Sequence, residues 1–346
     1  MRRRRDDPEQ KRLLTREEFQ ALLSARDTEG LRKMLWELYV RGSEDLRRRI
    51  ETVALPVGER PKKVAPPPVD GEWHLGEVRQ FVALARSGAY TGGTRRVSPS
   101  ERTRWRLPFR ALIDDSGRLL TQGDVANGTE AMSALLDLAL DCRDTYYFRT
   151  EDPVSALRIV ASDLVDLLWR ANLEAHGFPA LVARAPRDLL RWESPWGWTR
   201  MGTRTIAAKE RSLADVLAAL LPSHDAWVAM AEAWLQVFAA THGGRAAPRS
   251  APNRNLPSQY VPPTPSDWKR WHELLYERLH GSESHHLLER IAAVPERPGV
   301  DLWLLRVRLA RDAGRAEEAR CIARAALGEF PGARELQAIA REVGLR

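Results

Sequence analysis

The stretch DPVSALRIVASDLVDLLWRANLEAHG, residues 152–177, decides the fold class. Val154, Leu157, Val160, Leu164, Leu167 and Leu168 recur every three or four positions, the period of one face of an α-helix. Asp152-Pro153 is a clean start, because proline at the first helical position gives up only an amide that had no partner. Gly177 is a stop. The density of apolar residues predicts one helix from Pro153 to about Ala175, central and the most buried of the chain.

The same period extends in both directions. In the centre it predicts helices at 73–87, 129–142, 179–192, 212–221 and 224–241, and towards the C-terminus at 267–280, 284–294, 300–313, 315–329 and 332–343. Near the N-terminus, Thr15 and Glu18 form a capping box before Phe19, Leu22 and Leu23. Leu31, Met34, Leu35, Leu38 and Tyr39 give a second face closed by Gly42, and Ser43 opens a third helix carrying Leu46, Ile50 and Val53. Two places depart from the pattern. Leu112 to Leu120 suggests a β-hairpin around Asp114-Asp115-Ser116-Gly117, which is ordinary turn chemistry, and Trp196 to Ile206 is irregular or weakly strand-like. The expected fold class is all-α, built as helical hairpins in an α-solenoid-like arrangement with at most a small central hairpin.

Proline divides the chain. Pro61, Pro66, Pro67 and Pro68 fall in one rich stretch; Pro248, Pro252, Pro257, Pro262, Pro263 and Pro265 fall in another. Each proline fixes φ and removes a donor, so these stretches read as linkers. The expected organisation is an N-terminal helical hairpin at 1–55, a linker at 56–70, a central helical domain at 71–243, a linker at 244–266 and a C-terminal helical piece at 267–346. A linker with few contacts implies that truncation near residue 250 leaves the central domain folded.

Composition narrows the classes. Of 346 residues, 43% are hydrophobic and 29% charged, which is globular rather than disordered. No window approaches the ~18 consecutive apolar residues of a membrane span. Arg2 to Arg5 lead into Asp6 and Asp7 rather than an apolar secretory core. Two widely separated cysteines, Cys142 and Cys321, make neither a disulfide framework nor a zinc site, and both fit apolar helical patterns as small hydrophobes. A cytoplasmic location is expected. The net charge of +7 rests on arginine far more than lysine, the bias of a GC-rich genome. It is positive at both ends and negative over 111–243, which suits parts that attract one another.

Trp303, Gly314, Ala319, Ala326-Leu327 and Pro331 are spaced so that the chain from Trp303 to Pro331 resembles a tetratricopeptide repeat. Trp303 stands at the large aromatic of the first helix, Gly314 at the turn, Ala319 at the close crossing, Ala326-Leu327 near the end and Pro331 at the stop. Arg306, Val307 and Ala323 depart from that pattern, and a weaker copy runs from Trp268 through Gly281 and Ala292 to Pro295. The resemblance covers roughly 80 residues. It implies a surface that binds another protein or peptide.

Candidate sites are few. Trp192, Trp196 and Trp198 with Arg200 form a turn of rigid aromatics, either a partner-binding platform or indoles tucked into the core. Trp303 is a second candidate for partner binding. Arg95, Arg96, Arg102, Arg104 and Arg106 with Trp105 interleave charge and an aromatic as a nucleic-acid backbone with base stacking would require. His272, His280, His285 and His286 cluster, but Tyr276 stands where a zinc-binding H-E-x-x-H helix needs its second histidine. The histidines are therefore read as a solvated helix end. Asp163 and Asp166 share a face, with Asp166 four residues before Arg170, the spacing of a surface ion pair. Phosphate-binding, dinucleotide-binding and nucleophile-elbow motifs are missing. No catalytic residue, metal or cofactor is expected. The leading expectation is a non-enzymatic scaffold or adaptor, a subunit of a larger bacterial complex that binds a partner protein or peptide. The alternative is a nucleic-acid-associated accessory protein.

Overall fold

A computed structural model of the chain describes residues 16–41, 47, 50–51, 68–92, 97–142, 145–150, 152–193, 197–198, 206–242, 268–295 and 298–345. Among the described residues every regular element is helical and no strand occurs. The chain divides into two compact units, Met1–Pro67 and Pro68–Arg346.

The first unit contains α1 (Arg16–Ser24) and α2 (Thr28–Arg41). Asp27 begins α2 by accepting a hydrogen bond from the Gly30 amide at 2.9 Å. The Arg47 guanidinium donates to the carbonyls of Tyr39 and Val40, which satisfies the end of α2. Thr15, Gly42, Ser43, Leu46 and Val53 lie outside the described residues.

The second unit begins with α3 (Gly71–Arg86), α4 (Pro99–Arg104), α5 (Arg106–Gln122) and α6 (Val125–Asp141). It continues with α7 (Pro153–Leu157), α8 (Ala161–His176), α9 (Phe178–Trp192), α10 (Leu213–Ala218) and α11 (His224–His242). The last helices are α12 (Lys269–Leu279), α13 (His285–Ala293), α14 (Val300–Asp312), α15 (Ala316–Glu329) and α16 (Arg334–Glu342). Contacts follow chain order. The triangle α3, α5 and α6 leads to α8, then to α9 and α11, then to α12 and α13, and finally through α14 to α15 and α16.

Two local expectations are corrected. Residues 112–120 are helix rather than hairpin, because Phe109, Leu112, Ile113, Ser116 and Leu120 bury one face at helical spacing. Ser116, the polar member of that face, closes its hydroxyl on the Leu112 carbonyl at 2.8 Å and so does not need a turn. The reversal comes later, at Gly123, whose φ of 97° is left-handed. The helix expected from Pro153 to Ala175 is instead two. Asp152 caps the start as expected, accepting from the Ser155 amide at 3.0 Å, but Arg158 adopts φ 55° and ends the first piece. The second piece, α8, starts with amides satisfied from far away: Glu210 accepts from Ala161 at 2.7 Å and from Ser162 at 3.0 Å. Glu193 does the same for α10, accepting from the Ala214 amide at 3.0 Å.

The hydrophobic core crosses the expected boundary at 244–266. One continuous cluster of buried residues extends from Leu75 to Leu309, and Trp268, Trp271, Leu275 and Leu288 belong to it together with Trp169 and Trp234. A smaller second cluster joins α14, α15 and α16 through Val307, Ala310, Ala319, Ala323, Ala326, Leu336 and Ile339. Residues 268–345 are therefore built onto the central helices.

Helices α5 and α6 approach closely at Gly128. A Cβ there would stand 2.9 Å from the Leu120 amide nitrogen and 3.0 Å from Leu120 Cγ. Alanine is intrinsically the better helix former by about 1 kcal/mol. Backbone cannot yield as a flexible side chain does, so Gly128→Ala is expected to destabilise by about 1–3 kcal/mol. Urea unfolding checks this, and a stabilised variant would show that the helices can separate without cost.

Candidate functional site

The tryptophan turn is mostly interior. Trp192 is fully buried, and its indole N–H donates to Asp137 Oδ1 at 2.9 Å. Arg191 donates to the other oxygen of the same carboxylate, and burial pushes the Asp137 pKa up. Trp198 is also buried, while Trp196 and Arg200 lie outside the described residues. A ring with no exposed surface cannot anchor a partner, so Trp192 and Trp198 are framework residues. Trp169 repeats the device, donating at 3.0 Å to Asp188, a carboxylate pushed up by burial and paired with Arg184. Each such indole removes about 150–250 Å² from water.

The basic stretch changes in a similar way. Its described residues are helical from Pro99, with Ser98 and Glu101 forming a capping box at the start of α4. Trp105 is 3% exposed and stacks on Phe148 at 4.1 Å between centroids, so it has no face for a base. Arg104 and Arg106 are exposed and Arg102 is half-buried; Arg95 and Arg96 lie outside the described residues. Trp303 is half-buried, donates to Glu329 at 3.0 Å, and lies beneath the Arg306 guanidinium at 5.2 Å. It braces α14 against α15.

The histidine reading also needs correction. His272 is 2% exposed and lies within the core, because it sits on the face of α12 that meets α14. Its Nδ1 is 2.8 Å from Asp301 Oδ2, and both side chains are buried. His272 Nε2 and Asp301 Oδ1 have no hydrogen-bond partner. A cavity of about 10 Å³ lies beside the pair, lined also by Glu273, Tyr276 and Arg308. That volume suits one water molecule. His280 and His286 are exposed and His285 is half-buried. Among the described residues no group of three ligand side chains could hold a metal ion.

A second buried histidine, His74, meets Ser116 with Nε2 2.9 Å from Oγ. Ser116 donates to the Leu112 carbonyl, so the imidazole donates to Ser116. Burial lowers the His74 pKa and keeps the ring neutral. Among the cysteines, Cys142 is buried as expected, but Cys321 is exposed on α15. Asp166 pairs with Arg170 at 2.8 Å, as the spacing implied, and with Arg211 at 3.5 Å.

A surface that the sequence pattern did not single out remains. On α1, Phe19 and Leu22 are 51% and 53% exposed; on α2, Leu35, Trp36, Leu38 and Val40 are 48%, 65%, 49% and 48% exposed. Helix α2 has no buried residue, and Trp36 stacks on Tyr39 at 5.6 Å. Elsewhere among the described residues, the large apolar side chains this exposed are Trp73, Leu107 and Tyr146, which lie far apart in sequence. The available signal was the width of the α2 pattern. Leu35-Trp36 and Leu38-Tyr39-Val40 place apolar residues side by side, too many for a single stripe.

No known family model, curated protein or solved structure matches the chain. Among the described residues no helix is long and apolar enough to cross a membrane.

The buried imidazole–carboxylate pair has a measurable consequence. Asp301→Ala leaves a buried polar group of His272 without its partner in the core and is expected to cost about 1–3 kcal/mol. Replacing both residues with leucine removes both desolvation penalties and should cost far less than that single change. Chemical unfolding of the two variants checks this, and equal losses would show that shape alone matters there.

Proposed function

We propose that the chain is a non-enzymatic helical scaffold or adaptor that binds a partner protein, with α1 and α2 as its principal docking element. The observation that carries this reading is the concentration of exposed apolar side chains between Phe19 and Val40. Exposed apolar side chains in this number mark interaction surfaces, since burying them removes apolar area from water. Trp36 and Tyr39 supply the rigid aromatic area typical of binding hot spots. The helical-hairpin order of the second unit supports the same reading, because such stacks commonly present surfaces for recognition. The fate of the candidate site residues agrees with it too. Trp105, Trp192 and Trp198 are consumed by the core, and the buried carboxylates serve indoles and arginines.

Trp36→Glu tests the reading. The ring is exposed, so the melting temperature should stay within about 1–2 °C of wild type. Tagged wild-type and variant proteins would be recovered from the native host and their co-purifying proteins compared by mass spectrometry. At least one partner should be lost from the variant. An identical set of partners on both proteins contradicts docking through α2.

A further inference from the structure

A groove of about 590 Å³ lies between α9 and α11, bounded at one end by Trp268. Helix α9 contributes Arg187, Leu190 and Arg191; helix α11 contributes Gln236, Val237, Ala240, Thr241 and His242. Among the described residues the lining contains two guanidinium groups, aliphatic side chains and an indole, and no acidic residue. From these features we propose that the groove binds a short acidic–apolar segment of a partner protein, a carboxylate on Arg187 and its apolar side chains on Leu190 and Val237.

The charge arrangement favours that occupant over a neutral or basic one. Arg187 and Arg191 are four residues apart on one helix face, where like charges repel. Their neighbours do not relieve this evenly. Arg184 is paired with Asp188 and Arg191 with Asp137, whereas Arg187 is exposed and makes no ion pair or hydrogen bond among the described residues. His242 adds no charge at neutral pH, because burial holds its pKa down. The positive charge without an ion pair among the described residues is thus at Arg187, in a lining that also holds Leu190 and Val237. A guanidinium there offers a carboxylate paired donors with little competition from other acids.

The shape favours a peptide. Gln236 to His242 spans about 9 Å of helix. That matches three residues of extended chain, and the groove lies along the outer surface, where Gln236, Ala240 and Thr241 are exposed. Small-molecule sites instead enclose most of the ligand surface. This inference rests on the reading of the chain as a protein-binding adaptor but concerns residues of the second unit, none of them on α1 or α2.

The test uses the full chain and two fluorescein-labelled eight-residue peptides, one alternating glutamate and leucine, the other glutamine and leucine. Fluorescence anisotropy should show saturable binding of the glutamate peptide below about 1 mM, and weaker binding of the glutamine peptide. Arg187→Glu should weaken the glutamate peptide by about five-fold or more without moving the melting temperature. Trp36→Glu should leave peptide affinity unchanged, which separates failure here from failure of the docking role of α2. Absence of saturable binding, equal affinity for both peptides, or indifference to Arg187→Glu would each overturn the proposal.

Discussion

Burial of aromatic surface around Trp234 is the constraint on which the second unit depends. The Trp234 ring lies 5.2 Å from Phe238 on its own helix, 6.0 Å from Trp268, 6.3 Å from Trp271 and 5.8 Å from His272. Trp227 adds a stacked contact with Trp271 at 5.7 Å. These rings bring residues on either side of the proline-rich stretch into one interior. A fully buried indole is worth about 4–6 kcal/mol of gross hydrophobic stabilisation. That is comparable with the whole net stability of an ordinary domain, about 5–15 kcal/mol.

Polar groups then fix the register of what the aromatics hold. Asp137 and Asp188 each accept from an indole and face an arginine, and His272 meets Asp301 where α12 crosses α14. Such buried groups add little net energy when paired and cost heavily when unpaired, so they favour one arrangement over its neighbours. Glu193 and Glu210 work similarly by satisfying the starts of distant helices. These aromatics and carboxylates are committed to structure, whereas among the described residues α1 and α2 carry exposed apolar side chains.

Helix positions were legible because a 3.6-residue apolar period survives in sequence wherever one face is buried. The observed α9, α11, α14 and α15 begin and end within one residue of the expected bounds. What was not legible depends on tertiary pairing. At Asp114 to Gly117 local turn chemistry competed with the buried face of Leu112, Ile113 and Ser116, and packing won. Arg158 breaks a helix in a left-handed conformation that no glycine announced. His272 looked solvated because its partner, Asp301, lies 29 positions away. Trp192 and Trp198 suited a core better than a platform, but sequence does not show which side faces water. Phe19, Leu22, Leu35 and Leu38 were read as helix faces, and their exposure became visible only in three dimensions.

The most direct test of the shared core is thermal unfolding of a chain ending near residue 250, followed by near- and far-ultraviolet circular dichroism and compared with the full chain. Removing Trp268, Trp271 and His272 strips the cover from Trp234 and Phe238, so the truncated chain should lose its cooperative transition and its near-ultraviolet aromatic signal. A sharp transition with the aromatic signal retained would show that the central helices stand alone, and would contradict the account of a single interior.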